Sequence, residues 1–350
     1  MTKPFCIALT ADFYDEAGAP RYVDFGLDTF DGHDGVEVSK FAEHRSEIGA
    51  DQLSNCHASL VLTPRVTAKS LEGCEDLIAI SRFGVGYDGV DVDACTANNV
   101  LVMTTPGAVD RPVAEATIGW MLALSHRMLQ KDRLVRTGRW DDRSQYMGCE
   151  LRDRTLGVVG LGGIGRELVQ LLQGFGMRQP IAYDPFAPAE VLEELEVRPV
   201  GLEELLSTAD FVSLHCPLNN ETRGLIGAAQ LQQMRPGACL LNLARGSIVD
   251  EEALYDALKS GHIAGAALDC FAIEPVITAP RLAELENVLL APHCIAWTDE
   301  MFRDIGRTAC KSLLDLSQGR RPHGMVNPKL LDTPAFARKL ERIRSSTGTL

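Results

Sequence analysis

The chain has 350 residues, 45% of them hydrophobic and 23% charged, and carries a formal net charge of −14. That length suits two globular domains, and the acidic balance argues against a non-specific nucleic-acid binder or a basic membrane-facing surface. No run of about 18 apolar residues is present to span a bilayer. The first sixteen residues have a short apolar stretch broken by acids and no small-residue cleavage pattern, so a cytoplasmic protein is expected.

In chain order, the apolar runs Phe5 to Leu9, Ala58 to Leu62, Leu77 to Ser81 and Val100 to Met103 alternate with helix-length mixed stretches. Such alternation predicts βαβ units around a parallel sheet. The acid-rich stretch from Asp12 to Asp34 lacks periodicity, misses the twelve-residue calcium-loop pattern and reads as a solvated loop. From Val113 to about Trp140 the spacing of Leu, Met, Ala and Trp predicts one long apolar helix joining two domains. Pro112 suits its first turn and Gly138 its end.

The glycine run follows. Gly160, Gly162 and Gly165 fit G-x-G-x-x-G between a strand-like segment, Thr155 to Val159, and a helix-like one, Arg166 to Phe175. The first glycine permits a tight turn, the second lets backbone approach a pyrophosphate, and the third lets helix and strand pack closely. The next strand-like segment ends in Asp184, 24 positions after Gly160, where an acidic partner for a ribose 2′-hydroxyl belongs. Further strand-like runs at Phe211 to Cys216, Cys239 to Ala244, Ala266 to Cys270 and Val288 to Ala291 complete a doubly wound dinucleotide-binding domain. An amphipathic helix from Met301 to Gln318 is too close to the end for a third domain. If it returns to the first domain, the dinucleotide domain is an insertion.

The expected fold is therefore α/β: a Rossmann NAD-binding domain over 109–299 inserted into a smaller flavodoxin-like substrate domain made of 1–108 and 300–350. The cleft between the two would be the active site.

Three polar residues sit where strands of the second domain should end: Arg245, Glu274 and His293. In such sheets ligands bind beyond the carboxyl ends of the strands. Reducing a ketone with a hydride also needs a proton, and histidine is the side chain that titrates near neutral pH. A carboxylate can orient the imidazole, and a guanidinium can hold a substrate carboxylate bidentately. Each alone has a structural reading, as sheet-end cap, loop charge or turn histidine; together, after the glycine run, they point to catalysis. The ten cysteines are scattered, with no C-x-x-C pair and no zinc spacing, so reduced thiols and no metal are expected.

At these residues the chain resembles the D-isomer-specific 2-hydroxyacid dehydrogenase family, which includes 3-phosphoglycerate dehydrogenases and hydroxypyruvate/glyoxylate reductases. TLGVVGLGGIG, MRPGACLLNLARGSIVDEEAL, GAALDCFAIEP and NVLLAPHCIAWTDE are among the matching segments, within roughly residues 75 to 320. The resemblance implies that His293 is general acid/base, Glu274 its partner and Arg245 the substrate anchor, with Val85 and Gly86 holding the substrate carboxylate. It places Gly163 and Ile164 at the pyrophosphate. Asp184 falls at the adenosine ribose, and Pro217, Leu243, Ala244, Arg245, Asp269 and His293 fall on the nicotinamide side. Pro185 and Phe186 follow Asp184 with no basic residue to meet a 2′-phosphate, which favours NAD over NADP.

The loop after Gly107 departs from the family pattern and puts Asp110 and Arg111 in reach of the site. Arg111 is either a second anion anchor, favouring a phosphoglycerate- or hydroxypyruvate-like substrate, or the partner of Asp110 at a helix start. Bulky Ile295 and Trp297 also stand where many relatives have smaller residues. The resemblance further implies a small-molecule 2-hydroxy or 2-keto acid substrate and a homodimer. A catalytically idle NAD-sensing, corepressor-like scaffold is the alternative. A formate dehydrogenase would carry Gln in place of Glu274, and a phosphite dehydrogenase a Lys near FGVGYD.

Overall fold

The computed structural model describes residues 3–347. The chain divides into two compact units, one running to Val109 and resuming at Trp297, the other comprising Asp110–Ala296.

The first unit holds a five-stranded sheet of β1 (Phe5–Leu9), β2 (Val36–Lys40), β3 (Ala58–Val61), β4 (Ala79–Arg82) and β5 (Leu101–Met103). All pairs are parallel, in the order β2-β1-β3-β4-β5, which is flavodoxin-like. The central strands read as apolar runs because both of their faces are covered; every residue of β3 is buried. β2 is an edge strand with four exposed residues of five, and its polar sequence gave no strand signal. The Asp12 to Asp34 stretch is not simply a solvated loop. It buries Phe13, Phe25 and Phe30, with Phe13 stacked on Phe25, while Asp15, Glu16, Asp28, Asp31 and Asp34 stay exposed. The helix Asp299–Ser317 belongs to this unit, capped by Thr298 accepting from the Met301 N–H. A further helix, Pro334–Thr347, buries Phe336 and Ile343 within the same unit.

The second unit is a seven-stranded sheet: β6 (Leu156–Val159), β7 (Ile181–Tyr183), β8 (Arg198–Pro199), β9 (Phe211–Leu214), β10 (Cys239–Asn242), β11 (Gly265–Leu268) and β12 (Val288–Leu290). All pairs are parallel, in the order β12-β11-β10-β9-β6-β7-β8. The chain winds outward from β6 to β8, then returns to β9 on the other side, so the order reverses between β6 and β9. Ligands of such open sheets bind at this reversal, beyond the carboxyl ends of the strands. Leu205, Leu206, Leu231 and Leu254 cover one face of the sheet; Ala114, Met121 and Leu168 cover the other.

The expected continuous helix from Val113 to Trp140 is broken. It runs Asp110–Ser125, stops, and resumes as Met128–Arg136 after Arg127 takes a left-handed conformation at φ 55°. The Ser125 carbonyl accepts the Cys149 N–H instead of continuing the ladder. Among the described residues no helix is long and apolar enough to cross a membrane.

Leu241 on β10 is fully buried at the centre of this sheet. Leu241→Ala is expected to lower the free energy of unfolding by about 2–5 kcal/mol, the usual cost of such a cavity. A urea denaturation midpoint unchanged from wild type would contradict that packing.

Candidate active site

The nucleotide end of the site is built by the turn after β6. Gly160 sits at φ +92°, a conformation that side chains disfavour, and a Cβ there would run into the backbone of His215 and Cys216 at the end of β9. The helix Gly163–Leu171 starts from Gly162 with no side chain capping it, so its first N–H groups remain available to an anion. Ile164 and the buried Gly165 lie in its first turn. Asp184 follows β7 directly, fixed by the Leu161 N–H on one carboxylate oxygen at 2.8 Å and the Phe186 N–H on the other at 2.9 Å. A tight turn, an uncapped helix start and an oriented carboxylate fit the diphosphate and ribose of a dinucleotide.

Arg245, Glu274 and His293 stand just beyond the carboxyl ends of β10, β11 and β12. The turns carrying the first two are in direct contact. A Cβ on Gly246 would overlap the backbone of Phe271, so only glycine admits this approach. Asn242 ties the Arg245 turn together, its amide donating to the Arg245 carbonyl at 2.9 Å and its oxygen accepting from the Ala244 N–H at 3.1 Å. The Arg245 guanidinium donates to the Ala244 carbonyl at 2.7 Å. Glu274 Oε1 accepts the Phe271 N–H at 2.8 Å, and its Oε2 lies 2.8 Å from His293 Nδ1. The pair is half open to solvent, with 45% of the His293 and 34% of the Glu274 side chain exposed.

His293 has a positive φ of 56°, rare for a residue with a side chain and costing on the order of 1–3 kcal/mol. Asp269 holds it there. The Asp269 carbonyl accepts the His293 N–H at 2.8 Å, and its Oδ1 accepts the N–H groups of Cys294 at 2.9 Å and Ile295 at 3.1 Å. Burial pushes the Asp269 carboxyl up to about 6, the two backbone N–H groups only partly opposing it. Glu274 moves the other way. Burial would raise it, but the His293 hydrogen bond, the Phe271 N–H and the charges of His293 and Arg245 together hold it below its ordinary value.

Leu243 is buried and Ala244 half-buried in the turn after β10, and Pro217 is exposed after β9. Val85 and Gly86 lie half-buried in the loop after β4, in the first unit. Arg111 is exposed and paired with Glu115 at 2.5 Å and Glu167 at 3.2 Å, not with Asp110. Asp110 instead presses its carboxylate against Gly163, filling the space a side chain there would need. Burial and Glu167 raise its pKa against the opposing charge of Arg166.

Two residues that the sequence reading passed over also reach the site. His215 Nε2 lies 2.8 Å from Ser213 Oγ, and burial pulls its pKa down to about 4. Cys270 donates its thiol to the Ala244 carbonyl at 3.2 Å. Both fall in strand-like runs, and periodicity carries no signal for what a strand-end side chain meets.

The NAD binding domain of the D-isomer specific 2-hydroxyacid dehydrogenases matches residues 118–294. A glyoxylate reductase of Korarchaeum cryptofilum is 35% identical over 311 residues, 87% of this chain and 93% of its own. A D-3-phosphoglycerate dehydrogenase of Methanocaldococcus jannaschii is 41% identical over 264 residues, 75% of this chain but 50% of its own length. The solved D-lactate dehydrogenase of Aquifex aeolicus, complexed with NAD and lactic acid, superposes with a TM-score of 0.77 at 26% identity, covering 89% of this chain and 96% of that one. The fold and these likenesses define an NAD-dependent oxidoreductase. The chain belongs to the D-isomer specific 2-hydroxyacid dehydrogenase family.

Asp269 makes stability depend on pH. Its folded-state pKa of about 6 lies above the ordinary carboxylate value of 3.8, so its contribution is complete below about pH 4 and is lost as pH rises through 6. Asp269→Asn retains an oxygen for both N–H groups and cannot ionise. The stability difference between wild type and variant is expected to change by about 2–3 kcal/mol between pH 4 and pH 7. Unfolding curves at the two pH values that give the same difference would contradict this account.

Proposed function

We propose that this protein interconverts a small D-2-hydroxy acid and its 2-keto acid with NAD, and that His293 is the general acid/base. The observation that carries the reading is the 2.8 Å His293–Glu274 pair beside Arg245 at adjoining strand ends of a dinucleotide-binding sheet. When bound, NAD supplies or accepts the hydride; the protein supplies the proton and the orientation.

Glu274 engages Nδ1, which leaves Nε2 of His293 to give a proton to the carbonyl oxygen or take it back. Arg245, with its planar fork of donors, suits the substrate carboxylate. The diphosphate falls to Gly162, Gly163 and Ile164, the adenosine ribose to Asp184, and the nicotinamide side to Pro217, Leu243, Ala244, Arg245, Asp269 and His293.

The pairing of Arg111 with Glu115 and Glu167 neutralises the guanidinium that would have anchored a second anionic group. This supports a hydroxypyruvate- or glyoxylate-like keto acid over a phosphorylated one. The test is NADH absorbance across a panel of glyoxylate, hydroxypyruvate, pyruvate and 3-phosphohydroxypyruvate. Turnover is expected on the unphosphorylated acids; a flat response across the panel would overturn the reading in favour of an idle NAD sensor.

His293→Asn is expected to lower kcat by about 10²–10⁴ while NADH binding, followed by nicotinamide fluorescence, stays within about twofold. Keto-acid reduction at the wild-type rate would remove His293 from the mechanism.

Asp110 adds a prediction about affinity. Its carboxylate lies against Gly163, beside the N–H groups assigned to the diphosphate. Like charges a few ångström apart at a half-exposed site cost on the order of 1 kcal/mol or more. Asp110→Asn should therefore tighten NADH binding about five- to tenfold in the same fluorescence titration. An unchanged or weaker affinity would place the diphosphate elsewhere.

A further inference from the structure

One property of this site lies outside hydride and proton transfer. Cys270, Glu274 and His293 bring a thiol sulfur, a carboxylate oxygen and an imidazole nitrogen to within 4.8 Å of one another. The three arrive from separate places in the fold: Cys270 from the second position past β11, Glu274 four residues later, and His293 from the turn after β12. The His293 nitrogen and the Glu274 oxygen already stand 2.8 Å apart. In a tetrahedral zinc site, with Zn–S about 2.3 Å and Zn–N and Zn–O about 2.0–2.2 Å, ligand atoms lie about 3.3–3.7 Å from one another. Small side-chain rotations span that difference.

We propose that Cys270, Glu274 and His293 form an inhibitory site for a soft divalent cation, of which Zn²⁺ is the type. The donor set favours this class. A thiolate with an imidazole selects zinc-like ions over Mg²⁺ or Ca²⁺, which take oxygen ligands. Glu274 and His293 face solvent and give an ion its entry, while Cys270 is buried beneath them. Binding displaces the Cys270 thiol proton to solvent, and because a ligating Nδ1 must offer its lone pair, the neutral His293 ring carries its one proton on Nε2. Three protein ligands leave the fourth position to water. Held this way, His293 loses the Glu274 contact that orients it, and the ring can no longer carry a proton on Nδ1. The inhibition rests on the role proposed above for His293; the binding does not.

The binding test uses Co²⁺ alone as a spectroscopic stand-in for Zn²⁺ on the reduced, chelator-treated protein. A thiolate ligand gives a near-ultraviolet sulfur-to-cobalt charge-transfer band. That band is expected in wild type, to be displaced by Zn²⁺ and not by Mg²⁺. It should vanish in Cys270→Ser, which keeps the side-chain volume, and persist in Cys149→Ser and Cys294→Ser, whose thiols are more accessible. His293→Asn should weaken Co²⁺ binding at least about tenfold. Circular dichroism checks that each variant is folded. A wild-type protein with no band at saturating Co²⁺, or a band that survives in folded Cys270→Ser, would overturn the proposal. In the activity arm, Zn²⁺ should abolish keto-acid reduction and EDTA restore it. Zinc that binds at Cys270 without inhibiting an active enzyme would overturn the inhibitory role. A protein that binds cobalt through Cys270 yet reduces no keto acid would instead sink the proposed function and leave the site standing.

Discussion

The site depends on how Asp269 grips the turn that carries His293. A histidine at φ 56° is not a conformation the residue chooses for itself. It persists because three successive N–H groups, of His293, Cys294 and Ile295, converge on one residue, two of them on a single carboxylate oxygen. Three hydrogen bonds, two to a group that can be charged, outweigh a conformational cost on the order of 1–3 kcal/mol. The consequence is directional. With the backbone turned left-handed after Pro292, the imidazole meets Glu274 and so lies with Arg245. Asp269 touches neither side chain through a hydrogen bond, yet it fixes the geometry of the pair.

That grip works only because the sheet brings the right strand ends side by side. β10, β11 and β12 are consecutive neighbours and all parallel, so their carboxyl ends open on one edge and their turns can pack on one another. Gly246 against the Phe271 backbone is the tightest of these contacts. It fixes the Arg245 turn relative to the turn that carries Glu274. The glycine turn lies at the reversal between β6 and β9, where Gly160 fits against Cys216. Two consequences of one topology, the reversal and the shared edge, therefore place the glycine turn and the His293–Glu274 pair at the carboxyl ends of one sheet.

Much of this was legible in the sequence, for physical reasons that also explain the rest. Strands buried on both faces read as short apolar runs, and every core strand of the second unit overlaps such a run. β2 is exposed at an edge, so Val36–Lys40 carried no such pattern. The helix Pro334–Thr347 buries only a few residues among many charges and was equally silent. The break at Arg127 was invisible because it is set by a carbonyl captured by Cys149, not by a glycine or proline. Arg245, Glu274 and His293 could be read as strand-end residues, but not the left-handed turn beneath His293. Arg111 was ambiguous for a similar reason. One of its partners, Glu167, is 56 positions away and reaches it only once the helices Asp110–Ser125 and Gly163–Leu171 pack together.

Two carboxylates five residues apart in sequence show how this arrangement divides labour. Asp269 and Glu274 both lose solvent, and for both, burial is the largest single influence. They diverge in what replaces the water. Asp269 accepts backbone N–H groups and feels a smaller pull from the His293 charge; these do not offset its burial and the nearby Glu274, and it rises to about 6. Glu274 receives an N–H as well, but also faces an imidazole and a guanidinium, and falls below its ordinary value. The group that orients the imidazole is the one hydrogen-bonded to it and also facing the guanidinium. The group whose task is to hold backbone needs only an acceptor oxygen, which a protonated carboxyl still offers through its carbonyl. Environments that push two acids apart in this way mark separate roles. Here the boundary between holding the turn and orienting the imidazole falls between Asp269 and Glu274.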